Sequence, residues 1–329
     1  MFDGLVKGGR LVDPRNGLDK VLDIALEDGK VVEIGEDLSP SRAKAVVDAT
    51  GKIVMPGIID MHTHMRTVMG HPHAQRMVAL AGVCTTLDMA GPLDNILETI
   101  PQAGAGINMA ILESANPHTT LSCARPDAAE RQALIDKSLE NGAIGVKLMG
   151  GHFPMDLDVQ GAFIEDCSDR KAWIGWHVGN SVNGSNILGF RDAVEAAQGR
   201  FLHIAHINSY CRAQVRDELS EALEAIELLK ANPNIFAESY LSPLNGTRLT
   251  IENDEPLSKV TATCLKKVGC TPNYAGMEEA IRTGRAGALR DNGVIGELLY
   301  GEEGVAYWKS QGTSTVGSFP VNPATSRFL

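Results

Sequence analysis

Apolar and polar positions change texture near residue 53. Before it, short apolar runs alternate with turn residues. Leu5-Val6-Lys7 meets Gly8-Gly9, Val21-Leu22-Asp23-Ile24-Ala25-Leu26 stops at Glu27-Asp28-Gly29, and Lys30-Val31-Val32-Glu33-Ile34 follows. Asp-Gly between two apolar runs is a hairpin signal, and Asp13-Pro14-Arg15-Asn16-Gly17 is turn chemistry. Residues 1–52 are therefore expected to form the N-terminal half of a small β-sandwich.

From Ile53 onward, short apolar runs alternate with helical stretches. The runs after the first lie near residues 82–89, 107–113, 143–149, 173–178, 201–207 and 235–241. One helix should open near Asp127 and close at Asn141-Gly142. Another carries Leu219, Ala222, Leu223, Ile226 and Leu229 at helical period and stops before Pro233. Strands apolar on both faces and alternating with helices predict a parallel sheet. With the strand at Ile53 seven are found, the rhythm of a (β/α)8 TIM-type barrel whose eighth strand is not seen. After about residue 241 the rhythm breaks. Residues 245–329 read as loops and helical pieces, a long insertion able to cover the barrel mouth, so that residues 53–329 make one barrel domain.

Candidate chemistry sits at the ends of these runs. In Asp60-Met61-His62-Thr63-His64-Met65-Arg66 the two histidines are at i and i+2, on one face of a strand. Two neutral imidazoles aimed at one point suit zinc and similar ions. Lys147, His177 and His206 follow at intervals of 30 and 29 residues, close to the repeat of about 31 residues in a barrel of about 250. Three potential ligands would thus stand near the ends of successive strands, where barrel active sites are built.

Composition narrows the partners. Of the 329 residues 43% are hydrophobic and 22% charged, with a formal net charge of −11 and an isoelectric point near 5.3. That is ordinary for a globular chain and argues against nucleic acid or an anionic membrane as partner. A small-molecule substrate and a homo-oligomer are expected. Cys84, Cys123, Cys167, Cys211, Cys264 and Cys270 form no CxxC pair and suggest no disulfide framework, and the N-terminus has no signal-peptide core. A cytoplasmic setting is expected. Gly104-Ala105-Gly106 lacks the rest of a dinucleotide fingerprint.

The order His62-x-His64, Lys147, His177, His206, together with Pro56-Gly57-Ile58-Ile59-Asp60-Met61-His62-Thr63-His64, resembles the amidohydrolase superfamily over residues 1 to about 241. The resemblance implies two divalent ions, commonly zinc, bridged by a carboxylated Lys147, with His62 and His64 on one ion and His177 and His206 on the other. It implies hydrolysis of a C–N bond, amide or cyclic amide, in a small carboxylate-bearing substrate by a metal-bridging hydroxide. His206 is preferred to His203 because His206-Ile207-Asn208-Ser209 resembles the ligand segment of dihydroorotases; His203 is then structural. Arg66 completes the His-x-His-x-Arg form of dihydroorotases and hydantoinase relatives, where the arginine grips a substrate carboxylate. His152, just past Lys147, is a substrate-contact candidate; His71, His73 and His118 have no comparable placement.

Two departures qualify the resemblance. Ala90-Gly91 stands where those enzymes continue with Asn. Ala237-Glu238-Ser239-Tyr240 looks more like the N-acyl-D-amino-acid deacylases, whose bridging cysteine has no clear counterpart here; Cys84 lies before its strand's end. The family also needs an aspartate after strand eight as general acid/base. Downstream only Asp254 and Asp291 are available, and neither follows an apolar strand. A fragment ending before strand eight is therefore expected, and the alternative function is a non-catalytic scaffold or binding subunit.

Overall fold

The computed structural model describes residues 1–65, 71–89, 91–240, 242–291, 296–313 and 315–320. The chain divides into two compact units, Met1–Ile58 and Ile59–Leu329.

The first unit is strand-rich: β1 (Phe2–Asp13), β2 (Leu18–Glu27), β3 (Lys30–Gly35), β4 (Ala43–Asp48) and β5 (Ile53–Val54). The sheet order is β3-β2-β1-β4, with β5 also pairing β1. Asp28 and Gly29, at φ 50° and 72°, turn the β2–β3 hairpin as the Asp-Gly pair predicts. Asp13 accepts from the backbone N–H of Arg15 and Asn16 and caps the turn at Pro14–Asn16. Phe2, Leu5, Ala25 and Leu38 form the unit's core.

The second unit opens with seven strands: β6 (Ile58–Thr63), β7 (Val83–Asp88), β8 (Asn108–Ala115), β9 (Gly145–Leu148), β10 (Trp173–Trp176), β11 (Leu202–Ile204) and β12 (Ile235–Ala237). They lie side by side in chain order, parallel from β7 to β12, as the curled sheet of an open barrel. The intervening helices are α1 (His71–Leu80), α2 (Leu93–Leu97), α3 (Ile100–Ala103), α4 (Ala128–Glu140), α5 (Leu157–Asp169), α6 (Ile187–Ala197) and α7 (Glu218–Ala231). Side-chain caps start three of them: Asp127 on α4, Asn186 on α6 and Asp217 on α7. Phe163, Ile164, Trp176, Phe190 and Ile204 pack between helices and sheet. Inside the sheet the space is tight: a Cβ on Gly175 of β10 would lie 2.6 Å from Met89 Cε and 3.0 Å from Leu112 Cδ1. Among the described residues no strand extends the parallel sheet past β12.

Two expectations are corrected. Helix α7 exists where its apolar stripe predicts, but Leu219 and Leu223 are 48% and 52% exposed, and the buried face is Glu221, Ala222 and Ala225. Glu221 faces inward because its carboxylate accepts the backbone N–H groups of Ala213, Val215 and Arg216. The region after residue 241 is not merely loops and helical pieces. It holds β13 (Leu244–Arg248), β14 (Ile251–Glu252), β15 (Glu255–Pro256), α8 (Lys259–Lys267), α9 (Tyr274–Arg282), β16 (Gly287–Asp291), β17 (Gly296–Leu299), α10 (Gly301–Ser310) and β18 (Val316–Pro320). Four of these strands form an antiparallel sheet in the order β13-β18-β16-β17, over a core of Leu249, Leu265, Met277, Ile281, Trp308 and Phe319. Among the described residues no helix is long and apolar enough to cross a membrane.

Candidate metal centre

The ends of β6, β9, β10 and β11 converge on one open cleft of about 1020 Å³. Its floor includes His62, His64, Lys147, His177 and His206, and its wall comes partly from β13 and α8 of the C-terminal layer. His62 Nε2 lies 3.2 Å from His64 Nε2 and 3.2 Å from Lys147 Nζ. Nitrogen ligands at about 2.0–2.1 Å from a tetrahedral ion stand about 3.3 Å apart, so this spacing suits a shared cation. The His62 and His206 rings stack at 5.1 Å, and His206 meets His177 edge-on at 4.4 Å. Among the described residues, the buried Nδ1 nitrogens of His64 and His206 have no hydrogen-bond partner, which also fits residues able to hold an ion. Among the described residues no three His, Cys, Asp or Glu side chains stand ready to enclose an ion: the groups gather without forming a finished cage.

Local structure explains the gathering. The Thr63 hydroxyl donates to the Leu87 carbonyl, Met89 N–H donates to the Thr63 carbonyl, and buried Asp88 accepts Met65 N–H at 2.6 Å. These bonds fix the His62–His64 segment against β7. Lys147 lies within β9, fully buried. His177 follows β10, its N–H donating to Leu148 and its Nε2 3.1 Å from Ser185 Oγ. His206 stands beyond the end of β11 at φ 37°, a left-handed conformation unusual for a non-glycine residue. The buried hydroxyl of Tyr210 donates to the Ala205 carbonyl and accepts Val178 N–H at 2.9 Å, tying together the ends that present His177 and His206.

Two residues of this architecture escaped the sequence reading as site residues. Tyr210 is one. Glu238, just past β12, is the other: its Oε1 accepts His62 Nδ1–H at 2.5 Å and His206 N–H at 2.7 Å. A carboxylate behind a histidine fixes the tautomer that leaves Nε2 free to bind metal. Only its place in the Ala-Glu-Ser-Tyr segment at a strand end hinted at it. Burial raises the Glu238 pKa, but His203, His206 and the His206 N–H outweigh it, so it lies below the ordinary carboxyl value. His62, His64, His177 and His206 are all pushed well below the usual imidazole value, first by burial and then by the crowding of further basic groups, Lys147 and one another, against which each would have to gain charge. They are therefore neutral at pH 7, the form that binds metal. Burial lowers Lys147 to about 8.

The remaining candidates separate. His152 lies in the cleft, its Nδ1 2.8 Å from Ser258 Oγ and its ring 4.7 Å from that of His177. His203 is buried outside the cleft lining, its Nδ1 accepting from Trp173 Nε1 at 3.3 Å and its Nε2 3.7 Å from Glu238 Oε1. His118 stands at the cleft wall against Phe153. Cys84 is exposed and outside the cleft. Asp254 sits in a turn at φ 65° and accepts Tyr274 N–H, away from the cleft. Arg66 and the side chains of His71, His73 and Asp291 lie outside the described residues.

No family model matches the chain. A dihydroorotase of Streptococcus pneumoniae serotype 4 is 29% identical over 195 residues, covering 58% of this chain and 45% of its own length. The chain spans less than half the length of the curated relatives it matches. Among solved structures, N-acyl-D-glutamate deacylase from Bordetella bronchiseptica, complexed with zinc and a phosphonate inhibitor, superposes with a TM-score of 0.67 at 16% identity, over 99% of this chain and 73% of that one. L-hydantoinase from Arthrobacter aurescens gives 0.55 at 20% identity, over 86% and 67%. These structural likenesses bear on the fold.

Proposed function

We propose, for a chain that belongs to the amidohydrolase superfamily, metal-dependent hydrolysis of a C–N bond, amide or cyclic amide, in a small carboxylate-bearing substrate. The observation that carries this reading is the approach of His62 Nε2 to His64 Nε2 and to Lys147 Nζ at 3.2 Å each, with His206 stacked on His62 and His177 edge-on to His206. The dihydroorotase relative described above supports the reaction class.

His62 and His64 would hold one divalent ion, with zinc suited to their nitrogens, and His177 and His206 a second. Such a pair supplies an activated water and polarises the scissile carbonyl. Glu238 keeps His62 in its Nε2-ligating tautomer, and Ser185 steadies His177. Lys147 would join the set as a carbamate: the neutral amine adds to CO₂, forming an N–C bond and losing a proton. Burial favours this step, because an amine lowered to about 8 is neutral in a substantial fraction near pH 7–8. His152, held by Ser258, faces the same space and would contact substrate, and Arg66 is proposed as a further substrate contact.

Elemental analysis of the purified chain, beside Lys147→Ala, tests this reading. About two metals per chain, falling sharply in the variant, with turnover of cyclic amides or N-acyl amino acids, is the expected result. Less than one tightly bound metal in the unsubstituted protein overturns it.

A further inference from the structure

The imidazoles of the cleft form a row. The ring pairs His62–His64, His177–His206 and His152–His177 stand at centroid distances of 5.0, 4.4 and 4.7 Å and at interplanar angles of 75°, 79° and 73°. His62 and His206 stack at 5.1 Å and join the first two pairs. Rings bound to one tetrahedral ion through nitrogens at about 2.0–2.1 Å have centroids about 5 Å apart. The first two pairs are those that would hold one ion each. His152 continues the row past His177 in the same edge-on geometry, which puts it at the second ion's end.

The turn after β9 brings His152 there. Gly151 N–H donates to the His177 carbonyl at 3.1 Å, and His152 N–H donates to the Met149 carbonyl at 2.9 Å. A Cβ on Gly150 would lie 1.9 Å from the Gly179 carbonyl oxygen, so glycine is what lets this turn close against the segment that carries His177. On its far side His152 Nδ1 lies 2.8 Å from Ser258 Oγ. Ser258 is buried at the start of α8, and its side chain caps no backbone N–H of that helix. The hydroxyl serves the imidazole instead. With Nδ1–H donating to Ser258, Nε2 is the nitrogen left for a metal, the support usual behind metal-binding histidines.

The carboxylates of the cleft are engaged toward the other end of the row. Among the described residues they are Asp60, which accepts His62 N–H at 3.1 Å, and Glu238, which accepts His62 Nδ1–H and His206 N–H. The geometry points to His152 as a third nitrogen ligand of the second ion, beside His177 and His206, and to Ser258 as the residue that orients it. A third imidazole suits the same zinc-like ions as the first two. The C-terminal layer thereby takes part in the metal centre, because α8 supplies Ser258. His152 lines the cleft, so a ligand at this position still lies in a substrate's path. The inference deepens the proposed two-ion site and rests on it.

Cobalt(II) titration of the metal-free protein, followed by visible absorption, tests it. The unsubstituted chain should take up about two equivalents. His152→Ala should bind the first as before and the second more weakly by over about 100-fold, since outer-shell changes alone cost roughly 10- to 100-fold. Ser258→Ala leaves the imidazole in place and should weaken the second by that smaller factor. The absorption band that the second equivalent adds should change shape in His152→Ala, which a merely structural role would not produce. Similar thermal unfolding of the metal-free proteins separates loss of a ligand from loss of fold. A role confined to substrate contact would leave both affinities unchanged in His152→Ala, and that result, or equal weakening of both ions, overturns the assignment while the two-ion site stands. Should His152→Ala not fold, an unchanged second affinity in Ser258→Ala overturns it instead. An unsubstituted chain that takes up only about one equivalent overturns both the assignment and the two-ion site.

Discussion

Replacing Glu238 asks whether one carboxylate holds the histidine cluster from behind. Its Oε1 accepts both His62 Nδ1–H at 2.5 Å and His206 N–H at 2.7 Å, and the residue is largely withdrawn from solvent. In Glu238→Ala two donors lose their acceptor. Each buried, unsatisfied donor costs about 1–3 kcal/mol, so the pair costs about 2–6 kcal/mol. Glu238→Gln keeps an oxygen in place and loses only the charge. Hydrogen bonds to charged groups contribute about 1.5–3 kcal/mol against about 0.5–1.5 kcal/mol for neutral ones, which puts the cost of Gln at about 2 kcal/mol for the two bonds. Urea unfolding of the metal-free protein should therefore rank the stabilities wild type, then Gln, then Ala. Metal competition should show both variants weakened by about 10- to 100-fold, because the carboxylate no longer enforces the ligating tautomer of His62. An Ala variant within about 0.5 kcal/mol of wild type, the scatter of ordinary surface substitutions, would refute the reasoning. So would a Gln variant as unstable as Ala.

Lys147 predicts a pH dependence. Its folded-state value, lowered from 10.5 to about 8, lies below the unfolded one, so below about pH 8 the folded chain carries the full penalty. That penalty is relieved as pH rises toward 10.5, a gain of about 3 kcal/mol in unfolding free energy. Denaturation in chelator and CO₂-free buffer should show this rise over pH 8 to 10.5 for the wild type and a flatter profile for Lys147→Met; parallel profiles would count against a buried, unmodified amine. Gly151→Ala tests the His177 position, because the new Cβ would lie 2.1 Å from the His177 ring. Metal content should fall from about two to about one per chain, and an unchanged content would show that His177 is not needed.

The barrel strands were legible because each signals itself locally. Runs such as Gly145-Val146-Lys147-Leu148 are apolar, short and separated by helices, so six of the seven strands could be located with no knowledge of their partners; the first, expected at Ile53, begins at Ile58, and Ile53–Val54 pairs with β1 instead. Their spacing then brought Lys147, His177 and His206 into register with the His62–His64 pair, and the structure gathers those five groups at one cleft. The C-terminal layer hid for the opposite reason. Leu244–Arg248 and Val316–Pro320 are short, contain glycine and polar residues, and pair with each other across the whole layer. No local alternation marks such strands, because what makes them strands is a partner about seventy residues away.

The same distinction separates the visible part of the site from the hidden part. A histidine at the end of an apolar run advertises metal chemistry by residue type alone. Glu238, Tyr210 and Ser258 do not, since acids, tyrosines and serines occur throughout the chain and these three differ only in what they face. Glu238 faces an imidazole and a backbone N–H from two other elements. Tyr210 joins the ends of two strands, and Ser258 meets His152. Each acts through contacts made only after the sheet has curled. Groups that could bind metal can thus be nominated from spacing, whereas those that orient them emerge from packing. On this division, exchanging His62 or His64 should remove the ion that they would hold, lowering metal content by about one per chain in elemental analysis, while changing Glu238 should alter only the strength of binding.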